Sequence, residues 1–316
     1  MTNRTFLTFG LIACSAGCLA AQSGIQGPVA GYVFDGSAHG LRPILGIPGS
    51  SLFGSPVSLG FDASAAYVAP RQDAAFVVAS DGSFHFFQLD GGTATEQTVD
   101  NLPRAPDRLV FSPTGTAAAI YIGGSIAVMK GLPGAPSVAG GIDLPSGTAL
   151  DTMAISDDGS VLLVSAANAV RLYGSFADMG KLMDTAGSAL LAFATGGHDA
   201  VAVDPAGSGV TLFHDLTGSG ASQALAPSDS TISTASAVAF STDGKSLLLA
   251  SSTGQTVTAF DLSAGARNAI ACNCAPNYLA RMGNLFRLND LGADPVWLLD
   301  TRSSNPQILF VPALSQ

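Results

Sequence analysis

The 316-residue sequence predicts an all-β fold assembled from copies of one small sheet unit, and three observations carry that expectation. With 37 Gly, 17 Pro and only 11% charged residues, less than half the usual charged share, the chain is rich in turns and poor in solvated helical faces. Its apolar runs last four or five residues between Gly, Ser, Asp and Asn, which is the punctuation of short strands. Helical periodicity is nearly absent beyond the N-terminus, apart from a hint around 177–183.

Taken in order, the first element is "MTNRTFLTFGLIACSAGCLAAQSG". Arg4 precedes an apolar run from Phe6 to Ala16, and small residues follow to Ala20-Ala21. That is the layout of a secretory signal peptide over 1–21, shorter than a membrane span of roughly 20 apolar residues. It predicts export to the periplasm or the medium, with 22–316 as a single domain. A buried or anchoring N-terminal helix is one alternative. Lipid attachment at Cys18 is another, although Ser15 stands three residues before it where lipoprotein signals usually carry Leu.

The segment from Ala30 to Ser50 reads as strand "GYVFD", a turn and strand "LRPIL", the outer half of a sheet with no inner strands before it. Pro43 and Pro48 suit an outermost edge, where a missing N–H does no harm. Next come the copies: a loose one at "AYVAPRQDAAFVVASDGSFHFFQL", then "LVFSPTGTAAAIYIGGSIAVMKGL", "MAISDDGSVLLVSAANAVRLYGS", "LAFATGGHDAVAVDPAGSGVTLFHDL" and "VAFSTDGKSLLLASSTGQTVTAFDL". The deviant last one is "NLFRLNDLGADPVWLLDTRSSNPQILFVPA". Each runs strand, polar turn, strand, turn, strand. Val68, Phe111, Ile155, Phe193, Phe240 and Phe286 mark a period of 38 to 47 residues, that of propeller blades. Sheets this small cannot stay dry alone, so they pack around an axis and close the circle.

The stretches "FSPTG", "ISDDG" and "FSTDG", each followed by an apolar strand and lines such as "VTAFDLSAGA", resemble the repeats of bacterial YVTN-type β-propellers, cousins of WD40-like and TolB-like propellers. The resemblance covers about residues 60–313 and implies a β-propeller. The Trp-Asp dipeptide of WD40 repeats is missing, and Trp297 is the sole Trp. Six repeats plus the N-terminal half-sheet predict six blades, with seven as the alternative. In the six-blade reading, N- and C-terminal strands share a blade and close the ring.

Gly244-Lys245-Ser246 imitates the end of a phosphate-binding loop, yet Ala239 stands where its first Gly belongs and a strand follows instead of a helix. It is read as a hairpin turn. The Asp-Gly pairs at Asp81, Asp158 and Asp243 lack the spacing of a calcium loop and are read likewise. Cys272 and Cys274 in "IACNCAP" are expected to bridge each other in a bent turn, since the pair fits no zinc, haem or thioredoxin-like motif.

A formal net charge of −10, with Lys130, Lys181 and Lys245 the only lysines, argues against a nucleic-acid partner. His39, His85, His198 and His214 stand in no catalytic motif. The loops entering the innermost strands hold Asp62, Arg104, Asp107, Arg108, Asp151 and Arg281. Of these, Asp62, Asp107, Arg108, Asp151 and Arg281 are the candidate ligand-facing residues, with Arg108 the first choice. No metal, cofactor or catalytic residue is assigned. The leading expectation is an exported propeller that binds a protein, glycan or small molecule. The alternative is a lactonase-like propeller hydrolase with an axial carboxylate or metal site.

Overall fold

The computed structural model describes residues 27–218, 220–302 and 305–314. The leader read at residues 1–21, with Cys14 and Cys18, lies outside them. Every regular element described is a strand, and the strands form seven antiparallel sheets that are the blades of a propeller. Blade 1 has three strands, Val29–Asp35, Gly40–Ile47 and Ser50–Phe53. Blades 2 to 7 have four each, spanning 63–97, 108–143, 150–184, 190–226, 237–271 and 280–311.

The burial of each strand follows from its place in a blade. Second strands such as Ala117–Ile122 and Val161–Ala166 are almost wholly apolar and largely buried, because a neighbouring blade covers each face. Fourth strands such as Thr93–Gln97 and Arg267–Ala271 lie on the perimeter and are polar and largely exposed. Seven apolar cores fill the seven interfaces. Phe76, Phe86 and Ile120 lie between blades 2 and 3, and Ile126, Ile155 and Tyr173 between blades 3 and 4. The circle closes where Val33 and Ile44 of blade 1 pack on Leu285, Val296 and Leu298 of blade 7.

The repeated Ser-x-Asp-Gly signature has a mechanical meaning. Ser156 and Ser241 are buried; each accepts the backbone N–H five residues on and donates its hydroxyl to the carboxylate two residues on, Asp158 or Asp243. Ser112 accepts the N–H of Ala117 in the same way, with Thr114 in the aspartate position. The motif clips the hairpin from inner to second strand. Gly244 takes φ 70° there and Lys245 is exposed, so the phosphate-loop imitation is a turn.

Three expectations are corrected: the blade count, the helical hint and the edge position of the prolines. The ring has seven blades, and six are not supported, because the strands at Val29–Asp35 and Gly40–Ile47 form their own sheet with Ser50–Phe53 and do not join the C-terminal one. Blade 7 already has four strands of its own, ending at Gln307–Val311. The count fell short because the last repeat was aligned one strand late: Phe286 lies in the second strand, Leu285–Arg287. The inner strand is the three-residue Ala280–Met282, which has no apolar run to announce it. The helical hint at 177–183 is also a strand, Ala177–Asp184, curved by two register shifts.

Pro43 is not on an edge strand but in the middle one of blade 1, and Pro48 is in the following turn. The Pro43 carbonyl accepts the Gly54 N–H at 2.8 Å, but Pro43 has no N–H to return to Gly54. Arg42 supplies the substitute: its Nη1 donates to the Gly54 carbonyl at 3.0 Å while its Nε holds the buried Asp35.

Candidate functional site in the axial channel

Six inner strands surround the axis: Ala63–Val68, Arg108–Phe111, Leu150–Ile155, Leu190–Phe193, Ala237–Phe240 and Ala280–Met282. Blade 1 contributes none among the described residues. Blades 2 and 7 meet directly at the inner rim, where the Gly283 N–H donates to the Pro70 carbonyl at 2.7 Å. The strands enclose a channel of about 680 Å³, within the usual range of small-molecule sites. Its wall is mostly Val, Leu, Ala and Phe, and Arg108 and Arg281 are the charged residues that line it.

The sequence placed five candidates at one mouth, and the structure divides them between two. Asp62, Asp107, Arg108 and Asp151 stand where inner strands begin. Asp107 is occupied in a turn, accepting the Gly123 N–H at 2.7 Å. Asp62 is exposed, and its carbonyl accepts the Ser80 N–H. Asp151 is the extra residue of a bulge between Leu150 and Thr152. Arg108 pairs with Tyr121 through its backbone, and its exposed side chain makes no hydrogen bond or ion pair among the described residues.

Arg281 belongs to the other mouth, where inner strands end. Its short strand aims the side chain across the axis. Nη1 donates to the Thr195 hydroxyl of blade 5 at 3.1 Å and to the Pro113 carbonyl of blade 3 at 3.3 Å, and Nε donates to Gly283 at 3.1 Å. All three acceptors are neutral. Desolvation pulls the Arg281 pKa below its ordinary value, and the charge of nearby Asp157 partly restores it. Asp157 is itself engaged: Oδ1 accepts the Thr114 N–H and hydroxyl at 2.7 and 2.6 Å, and Oδ2 accepts the Gly196 N–H at 2.8 Å. A half-buried guanidinium that touches only neutral oxygens leaves its charge available to an anion.

The same rim carries His198, whose Nε2 faces Asp158 at 3.2 Å and Ser160 at 3.3 Å, while Nδ1 faces Thr217 at 3.2 Å. Asp158 is held far below the usual carboxylate range: burial opposes this, but hydrogen bonds from Ser156, Ser160 and His198 prevail. Serine and aspartate share one imidazole nitrogen here, so the cluster is a brace between blades 4 and 5 and not a proton relay. Sequence reasoning missed Asp157 and Thr195, which differ little from their counterparts in sister turns; only the convergence of three blades shows them. Cys272 and Cys274 are joined, with Cα atoms 5.1 Å apart in the loop leading to the strand of Arg281. Among the described residues, no group of three or more His, Cys, Asp or Glu stands in metal-binding proximity.

Fold and channel together define a seven-bladed β-propeller with a cationic axial site. No protein-family model matches the sequence, and no curated protein does. Solved structures do match over nearly the whole chain. A periplasmic gluconolactonase from Pseudomonas aeruginosa has a TM-score of 0.61 at 17% identity, covering 91% of this chain and 97% of its own. A protein described as a putative 6-phosphogluconolactonase from Bacteroides fragilis has 0.59 at 16%, covering 90% and 94%. A protein from Lactobacillus plantarum has 0.61 at 17%, covering 90% and 95%. At such identities the likeness establishes the fold.

Proposed function

We propose that this chain is a lactonase-like propeller hydrolase acting on a small anionic lactone or ester in the axial channel. Arg281 is the observation that carries the reading: a cation fixed across the mouth by three blades with no carboxylate in contact. In hydrolysis, water adds to the carbonyl carbon, negative charge develops on its oxygen, and the ring C–O bond then breaks to give a hydroxy acid. A guanidinium already in place stabilises that oxyanion without reorganising, and one such donor contributes on the order of 10²–10³ in rate. The same cation would retain the carboxylate of substrate or product.

The names of the similar solved proteins support this reading over the interaction scaffold that the sequence favoured. The site differs from the axial carboxylate or metal cluster anticipated for a hydrolase, since the described residues that line the channel include arginines and no Asp, Glu or His. Export fits the same picture: the Cys272–Cys274 bridge suits an oxidising compartment, and one similar structure is described as periplasmic. Proton release from a panel of five- and six-membered lactones and simple esters tests the proposal. Saturable acceleration above the spontaneous rate supports it; spontaneous rates throughout would return the protein to the binding-module reading.

A further inference from the structure

On the perimeter of blade 2, a second group of residues stands in the order that nucleophilic catalysis requires. The hairpin joining Ala74–Ala79 to Phe84–Asp90 puts exposed Ser83 at its tip. Strand alternation sets His85 on the same face, two residues on, and the pairing of Phe87 with Glu96 brings the carboxylate alongside. Ser83 Oγ lies 2.7 Å from His85 Nε2, and His85 Nδ1 lies 2.7 Å from Glu96 Oε1. The Phe61 ring, 4.5 Å away between centroids, backs the imidazole.

We propose that Ser83, His85 and Glu96 form a serine nucleophile with its proton relay, open to small activated acyl esters. Glu96 can only accept, so in neutral His85 the proton sits on Nδ1 and the lone pair on Nε2 faces the Ser83 hydroxyl. Asp81 competes for that hydroxyl, its Oδ1 lying 2.6 Å from Ser83 Oγ. In the reaction, Ser83 Oγ bonds to the acyl carbon and its proton passes to His85 Nε2. The C–O bond to the leaving alcohol breaks as His85 returns the proton to that alcohol. Water, deprotonated by His85, then releases the acid and regenerates Ser83. Ser83 and His85 are the catalytic residues; Glu96 positions the imidazole and stabilises its charged form. The site is shallow and separate from the axial channel, so it takes compact electrophiles such as an acetyl ester.

The test treats the full chain with p-nitrophenyl acetate, following nitrophenolate release and locating acetyl groups by peptide mass. The expected result is acetyl on Ser83, none at that position in Ser83→Ala, and acetylation about 100-fold slower in His85→Asn. Glu96→Gln keeps an acceptor but removes the charge that stabilises protonated His85, so acetylation slows, and Glu96→Asp, which restores the charge, recovers part of the rate. Asp81→Asn, which frees the hydroxyl from its competitor, speeds acetylation. An unmodified Ser83 in the folded protein, or equal acetylation in His85→Asn, overturns the proposal.

Discussion

The guanidinium of Arg281 in blade 7 donates to the hydroxyl of Thr195 in blade 5 at 3.1 Å, so one side chain ties together inner strands that are not neighbours in the ring. Removing its charge should therefore be felt in the channel before it is felt in the fold. Arg281→Met keeps an unbranched apolar stem and is expected to lower kcat/KM for an anionic lactone by about 100-fold. The melting temperature should fall by only a few degrees, because the lost acceptors lie at a solvated mouth. Steady-state kinetics beside a thermal melt separates the two effects.

Asp157 opposes anion binding electrostatically while it organises the rim. Asp157→Asn removes a negative charge near Arg281 and is expected to tighten carboxylate binding several-fold. It also places an amide nitrogen where the Thr114 or Gly196 N–H needs an acceptor, costing about 1–3 kcal/mol of stability. Affinity and stability moving in opposite directions, read by titration and denaturant unfolding, is the signature to look for. Tighter binding should weaken as salt is added.

Blade 1 makes a pH prediction. Burial acts to raise the Asp35 pKa, but Arg42, Ser37 and the Ala38 N–H outweigh it and bring the value down to about 2 from an ordinary 3.8. The folded state thus binds this proton more weakly than the unfolded chain does. The stabilisation, about 2 kcal/mol, is present above the ordinary value and is lost as pH falls through about 2. In Asp35→Asn the acid limb of the stability curve should flatten over that window. Arg42→Met leaves the buried Asp35 carboxylate without its cation and the Gly54 carbonyl unpaired, for a loss of about 3–5 kcal/mol at neutral pH.

The serine clip predicts the same kind of loss in sister blades, graded by burial. Ser156→Ala and Ser241→Ala each deprive a backbone N–H of its serine acceptor and an aspartate of a donor, and should each cost about 1–3 kcal/mol. Val161 is buried whereas Ser246 is half-exposed and closer to water, so the blade 4 variant should lose more. Urea unfolding of both variants checks the ranking.

Much of the fold was legible in the sequence because the repeat unit is written in local chemistry. The apolar second strands and their Ser-x-Asp-Gly clips name a blade wherever they occur. Blade 7 was legible from its second strand onward, but its inner strand, Ala280–Met282, is too short to show alternation. The N-terminal half-sheet was seen, but Ser50–Phe53 was not, and without that third strand the segment looked borrowed by another blade. Arg281 was named as a candidate from its place before a strand. Its actual place in a strand, at the opposite mouth from Arg108, depends on how six strands are ordered in space. The relay at Ser83 was hidden for a similar reason: Glu96 comes alongside His85 only through the pairing of two strands.

The proposed function requires that the Arg281 charge be free to meet an anion in the channel. Calorimetric titration of gluconate into the intact protein and into Arg281→Met tests it directly. Saturable one-to-one binding that weakens at least tenfold in the variant and declines with ionic strength is the predicted result. Binding that is absent from the intact protein, or that persists undiminished without the guanidinium, would contradict it.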